Sequence, residues 1–520
     1  MRTHDRPAAR TWVGLILLLI PALLVSMDIS VLFVAAPAIA EDLDPTGSQW
    51  LWMMDVYGFV MAGLLVTMGS LGDRIGRRRL LLSGAALFGA ASALVALASS
   101  PALFIAGRVL LGAAAATLAP STLSLIRALF TDGARRRLAV GLWTVAFTGG
   151  AVAGPILGGV LMEFLPWGSV FLVNLPFMLL LLAAAPWTVP ESRDPGSASF
   201  DLFGAGASLV AVLGLVYALK RFAEHGADAP ALASLGAGAA FLALFAWRQR
   251  SAKHPLIDLS LLARPAFAAA VSGGAVVSFA AAGLGLLTFT FLQTVHGLSP
   301  LAAALWALPT FVGTFLGAAG AGALAGRVRP APLVSAGLLT SAAGFAIVGS
   351  VGPDTGLPVF VGGYTVVTLG VGVVSTIANT LVLATAPPER AGSAAGISET
   401  SHELGAALGI ATLGTVSTAI YRATMEQESP EAGSAATETV TGAVAAAGEL
   451  AAPEAGELLD TAFAAYTSGL SASAMTGALA LAGVALLALV ALWRLPAGIG
   501  EEARSPAVAA EAGGREARGV

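Results

Sequence analysis

Apolar runs about 20 residues long recur from one end of the chain to the other, and they decide what it folds into. In the 520-residue sequence they fall at about 12–40, 49–70, 79–99, 102–127, 138–162, 168–189, 202–221, 230–247, 266–292, 301–325, 332–350, 357–386, 391–419 and 471–493. Runs of this length cross a bilayer as helices, because lipid forces every backbone polar group to be satisfied within the span. The expected fold is all-α and polytopic, with 14 spans. Composition agrees: 57% of the residues are hydrophobic and 11% charged, against about 25% charged in soluble domains. The first run ends in Ala38-Ile39-Ala40, similar to a signal-peptidase site, yet it carries Asp28 and is longer than a signal peptide's apolar core, so a retained helix is expected.

Several classes of function are excluded by the same residues. Without cysteine there are no thiolate metal sites, iron–sulfur clusters or Cys nucleophiles. The histidines His4, His225, His254, His296 and His402 share no ligand spacing, so neither a metal nor another cofactor is expected. A phosphate-cradling loop needs Gly-Lys-Ser/Thr, whereas the two lysines, Lys220 and Lys253, precede Arg221 and His254. A net charge of -4 without a basic tract gives no support for nucleic-acid binding.

Basic loop residues mark the cytoplasmic side. With both termini inside, 23 of the 27 Lys and Arg residues fall there, including Arg74, Arg77–Arg79, Arg127, Arg135–Arg137 and Arg327. Lys220, Arg221 and Arg422 fall outside and Arg108 within a span, while the outer loops begin acidic with Glu41, Asp42 and Asp44. An N-in, C-in multi-pass protein is expected. Heavy use of Ala, Gly and Arg with two lysines points to a GC-rich bacterium and hence to its inner membrane.

Residues 420–470 form a long outer loop with eight acidic residues and one base, Arg422. Its Ala-rich pieces near 436–450 and 455–466 suggest an interfacial or re-entrant helical hairpin, with an unstructured acidic loop as the alternative. Gly69-Ser70-Leu71-Gly72-Asp73-Arg74 is weakly repeated as Gly322-Ala323-Leu324-Ala325-Gly326-Arg327. The resulting organisation is a cytoplasmic terminus at 1–11, a six-helix half at 12–189, a linker with two inserted helices at 190–264, a second six-helix half at 265–495 and a disordered tail at 496–520. Two-halved secondary transporters bind substrate between such repeats.

Four acidic residues lie within spans: Asp28, Asp55, Glu399 and Glu403. On insertion scales each costs about 2.5–3.5 kcal/mol at mid-span, a cost lowered by binding a proton. Proton and cationic substrate then compete for one negative charge. Glu399 and Glu403 share a helix face with His402 beside them, and Asp55 has Trp52 and Tyr57 nearby to suit a lipophilic cation. Plain alternatives are a structural anchor for Asp28, water-reaching interfacial positions for Asp55, Glu399 and Glu403, and a packing role for His402. Arg108 must face a cavity or a carboxylate such as Asp28, or snorkel outward. Gly149 to Gly159 sets glycines at small-xxx-small spacing around Pro155, read as close helix packing or as a hinge.

These residues resemble the major facilitator superfamily, and within it the fourteen-span drug/proton antiporter branch of quaternary-ammonium and methyl-viologen exporters. Gly69-x-Leu71-x-Asp73-Arg74-x-Gly76-Arg77-Arg78 matches the superfamily's cytoplasmic loop motif, which implies a conformational latch. Gly150-x-x-x-Gly154-Pro155-x-x-Gly158-Gly159 resembles the antiporter motif of span five. Asp28-x-Ser30-Val31 and Arg108-x-x-Leu111-Gly112 resemble the first- and fourth-span motifs, the first with Ser for Thr, the second without the usual Gln. Ser398 to Gly405 is similar to the acidic segment of span thirteen. Span ten lacks the acidic residue that some relatives carry, which argues against dicationic substrates.

The resulting expectation is a monomeric secondary transporter, not an enzyme, that exports lipophilic cations in exchange for protons. Asp28 is the expected proton site with Arg108 as its tuner. Asp55, Trp52, Tyr57, Glu399 and Glu403 are the candidates for cation recognition. A dedicated exporter of one metabolite, an antibiotic or siderophore, is the alternative.

Overall fold

The computed structural model describes residues 9–130, 132–193, 202–225, 228–251, 259–325, 327–352, 355–385 and 391–492. The linker around 194–201, Gly326 of the weak repeat and the tail from 493 onward lie outside the described residues. Fourteen long helical segments follow one another. They are α1 (Ala9–Leu43), α2 (Gly47–Ile75), α3 (Arg77–Ala96), α4 (Pro101–Leu129), α5 (Gly133–Phe164), α6 (Ser169–Thr188) and α7 (Leu202–His225). Then come α8 (Ala229–Ser251), α9 (Pro265–Val295), α10 (Pro300–Leu324), α11 (Pro330–Gly349), α12 (Leu357–Thr385), α13 (Ala391–Glu428) and α14 (Ala452–Leu492). Among the described residues there is no strand, and 12 helices are long and apolar enough to cross a membrane. The other two apolar runs form α2, of 29 residues, and α7, of 24.

Local chemistry sets the helix ends. Thr46 and Gln49 form a reciprocal capping box at the start of α2, which satisfies two otherwise orphaned N–H groups. Ser100, Asp132 and Ser299 cap α4, α5 and α10, the first and last followed by proline, whose fixed φ suits the first helical position. Between α2 and α3 the chain turns at Gly76 with φ +112°, a conformation open to glycine and strained for other residues.

Two apolar cores carry the packing. One joins α1 to α6 around Phe88, Phe104 and Phe171, and the other joins α9 to α14 around Phe267, Phe345 and Phe360. A smaller cluster of Phe59, Val216, Ala407 and Ala411 lies where α2, α7 and α13 meet. Helices α7 and α8 pack on each other and, through α7, on both α2 and α13.

The acidic loop expected at 420–470 is shorter, because α13 runs to Glu428 and α14 starts at Ala452. Residues 455–466 are the first turns of α14, not an arm of a hairpin. Glu454 stands in that first turn, where the helix dipole favours negative charge. Two short helices, Ser434–Glu438 and Val440–Ala447, remain between. They are held by Tyr421, whose hydroxyl donates to the Ala436 carbonyl at 2.8 Å.

Candidate functional site

A cavity of about 620 Å³ lies between the two cores. Asp55 and Tyr57 of α2, Arg108 of α4 and Trp143 and Phe147 of α5 line one side. Ser278 of α9, Asn379 of α12, and His402 and Glu403 of α13 line the other. Its walls run from Asp55 and Ile410 down to Arg127 and Ser398, toward the basic face of the molecule, the one that carries the Arg74–Arg79 loop. Asp55 and Glu403 are both buried, and both belong to the cavity wall.

Behind this wall Asp28 and Arg108 form an ion pair of 2.7 Å, each side chain about 1% exposed or less. The Arg108 guanidinium lies 4.4 Å from the centre of the Tyr57 ring, a cation–π contact that strengthens when water is excluded. Asn174 of α6 sits beside the Asp28 carboxyl, and its amide donates to the Ser92 hydroxyl of α3 at 3.1 Å. In this way α1, α2, α3, α4 and α6 each contribute one side chain to a single buried polar network. Arg108 and Tyr57 reach the cavity while Asp28 does not line it, so they stand between that carboxyl and any ligand. Sequence reasoning named Asp28, Arg108 and Tyr57 but missed Asn174, whose one visible signal was an amide within the apolar run 168–189.

Other expected residues are placed differently. Trp52 does not line the cavity; it packs against Tyr217 of α7, ring centroids 6.5 Å apart, because α7 covers that side of α2. The Glu399 and Asp73 side chains lie outside the described residues, although both backbones are helical. His402 rests on Gly274, where a Cβ would strike its ring, and its Nε2 has no hydrogen-bond partner. Sequence reasoning also missed Trp143 and Phe147, stacked at 5.5 Å and 15°. The Trp143 indole donates to the Thr122 hydroxyl at 3.1 Å, which fixes the ring. Their four-residue spacing was a readable signal for a shared helix face.

The glycine run of α5 lies along α1. A Cβ at Gly150 would meet the Leu23 carbonyl, one at Gly154 the Ser30 hydroxyl and Met27 carbonyl, and one at Gly158 the Val31 side chain. Pro155 is buried within α5. Gly159 instead faces Leu301 of α10, at the end away from the basic face. In the loop motif, Gly69 packs near Pro120, and Arg74 is exposed. One Arg77 nitrogen donates to the Pro120 carbonyl at 3.4 Å, and Arg78 donates to the Pro186 and Val189 carbonyls. Glu191, after α6, accepts from the Arg78 backbone N–H at 2.9 Å and lies 3.8 Å from the Arg78 guanidinium. Because Gly76 has no side chain, Glu191 caps α3 from a distance.

Helical cores facing each other across a mainly apolar cavity that holds a few charged and polar side chains, with spans enough for several crossings, define a membrane transporter rather than an enzyme. The chain belongs to the Major Facilitator Superfamily, whose profile matches residues 18–410. It is 42% identical to the multidrug efflux pump LfrA of Mycolicibacterium smegmatis, over 94% of this chain and 98% of that protein. It is 35% identical to the methyl viologen resistance protein SmvA of Salmonella typhimurium, over 78% and 82%. Its fold matches an inward-facing, unoccupied bacterial homologue of the human lysosomal transporter Spinster at a TM-score of 0.68, with 19% identity and 94% and 98% coverage.

Proposed function

We propose that this chain is a proton-coupled multidrug exporter of the bacterial inner membrane. It has fourteen spans with both termini inside, and moves lipophilic cations outward in exchange for protons. Likeness to pumps named for multidrug efflux and methyl viologen resistance supports the export of drugs. One observation carries the cationic substrate: Asp55 and Glu403 line the same cavity from opposite sides. Two carboxylates in a low-dielectric cleft make a field that concentrates cations. Glu399, one turn before Glu403, is kept as a second acidic candidate, and Trp143 with Phe147 supplies a flat aromatic wall.

The Asp28–Arg108 pair supplies the coupling. A proton on Asp28 removes the charge that holds Arg108, and the freed guanidinium still faces the cavity. There it repels a bound cation. Loss of the proton restores the pair and leaves Asp55 and Glu403 as the charges of the deeper part of the cavity, with Arg127 at its end toward the basic face. Rocking of the halves 12–189 and 265–495 around the cavity then carries the exchange across the membrane, with the Gly69–Arg78 loop as latch, the Gly150, Gly154 and Gly158 face holding α5 to α1 within the first half, and Gly159 meeting Leu301 of the second half where the halves part.

Acidified inverted vesicles carrying the protein test this reading. Ethidium should drive protons out of the lumen with the intact chain, and Asp28→Asn should abolish that release while leaving ethidium binding measurable. Proton release that survives Asp28→Asn removes Asp28 from the coupling role. An intact protein that gives no response to ethidium or other lipophilic cations sinks the cationic reading in favour of a dedicated metabolite exporter.

A further inference from the structure

A second cavity, of about 260 Å³, lies where α2, α7, α8 and α13 meet. It is separated from the central cavity by the crossing of α2 and α13, where Gly58 touches Ala407. Among the described residues, no ionisable side chain lines it. Leu242 of α8, on its rim, is 48% exposed, so the mouth looks past α8 toward the bilayer.

Its polar atoms are confined to one end. Thr67, Ser208 and Thr400 line the part near the basic face, where α2 ends at Ile75, α7 begins at Leu202 and α13 begins at Ala391. At 1.5 Å per residue they stand roughly 9–14 Å in from those helix ends. Ala62, Leu215, Val216 and Leu408 line the deeper part. Ser208 donates to the Gly63 carbonyl at 3.1 Å, whereas the buried Thr400 hydroxyl has no partner.

Protein interiors pack to crystal density, and atoms around a void lose dispersion contacts. An apolar hollow excludes water, so one that opens on lipid recovers those contacts by taking in hydrocarbon. The gradient from hydroxyls at the interfacial end to leucine and valine at depth is that of a phospholipid, ester first and chain below. A lipophilic cation would bring its charge to a cavity that, among the described residues, offers it no carboxylate.

We infer that this cavity binds one acyl chain of a phospholipid from the leaflet on the basic face, its ester carbonyl at the Thr400 hydroxyl. The chain lies across the line where α2, from one core, meets α13, from the other. A fluid filler at that line lets the two helices shear without opening a void.

The full-length protein in vesicles containing a phospholipid with a diazirine in its acyl chain tests the site. Irradiation followed by peptide mass spectrometry should place adducts on residues 208–216 and 400–408 in preference to the lipid-facing end of α14, where Leu479 and Leu487 are 70% exposed. Leu215→Trp should lose the cavity adducts, and Leu215→Ala should keep them. Adducts spread evenly over exposed helices overturn the inference even if Leu215→Trp does not fold. So does a folded Leu215→Trp protein with unchanged labelling, or displacement of the adducts by excess ethidium, which would make the cavity a drug site.

Discussion

Asp28 and Arg108 are each about 1% exposed and meet at 2.7 Å, so their stability and their function are bound together. Removing one member of a buried pair leaves an uncompensated charge, which costs about 3–5 kcal/mol. Arg108→Ala should therefore lower the thermal midpoint in detergent, and the double variant Asp28→Asn, Arg108→Met should recover most of the loss. Equal midpoints for single and double variants would mean that the two charges are not coupled. The Trp143 and Phe147 stack is a different kind of residue effect, since it lies on the cavity wall. A cation–π contact contributes about 0.5–2 kcal/mol, so Trp143→Leu should raise the KM for ethidium by roughly two- to thirty-fold. The KM for an aliphatic quaternary ammonium should move less, and equal changes for both would remove the stack from substrate recognition.

At the scale of elements, α5 is shaped for α1. Alanine at Gly154 would push a methyl into the Ser30 hydroxyl and the Met27 carbonyl, whereas a Cβ at Gly149 meets nothing within 4 Å. Overpacking of this sort costs about 1–3 kcal/mol, so Gly154→Ala should unfold earlier and transport more slowly while Gly149→Ala matches the parent in both assays. Glu191 acts on another helix, as a remote cap for α3. Caps contribute about 0.5–2 kcal/mol, so Glu191→Ala should lower the midpoint modestly, and its effect should persist at high salt because a hydrogen bond to a backbone N–H is lost along with the screened ion pairs; Glu191→Gln, which keeps an acceptor oxygen, should lose less. The spans and the loop motif were legible in the sequence because bilayer thickness sets helix length and glycine marks the turn at Gly76. Asn174, Glu191 and the orientation of Trp52 were not. Each depends on which helix lies opposite, and periodicity gives only the face a residue occupies, not what packs on it.

For the whole molecule, the decisive asymmetry is that the central cavity reaches toward the basic face while the two cores meet at the other end. There the Gln293 amide of α9 donates to the Val34 carbonyl of α1 at 2.8 Å, and Gly159 of α5 faces the backbone of Leu301 in α10. A Cβ added at Gly159 would fall 2.8 Å from the Leu301 Cα and 3.1 Å from its backbone nitrogen, closer than packed atoms allow, so glycine is what lets the two helices meet here. Alternating access requires this contact to part and re-form in every cycle. A side chain at Gly159 should therefore act as a wedge that disfavours the state closed at this end. Gly159→Val should weaken ethidium binding from the basic face in detergent and slow vesicle transport, whereas Gly149→Ala, where a Cβ meets nothing within 4 Å, should leave both unchanged. Parental binding and transport in a folded Gly159→Val protein would mean that the two cores need not close on each other at that end, and the rocking mechanism would have to be given up for a path that leaves this contact apart.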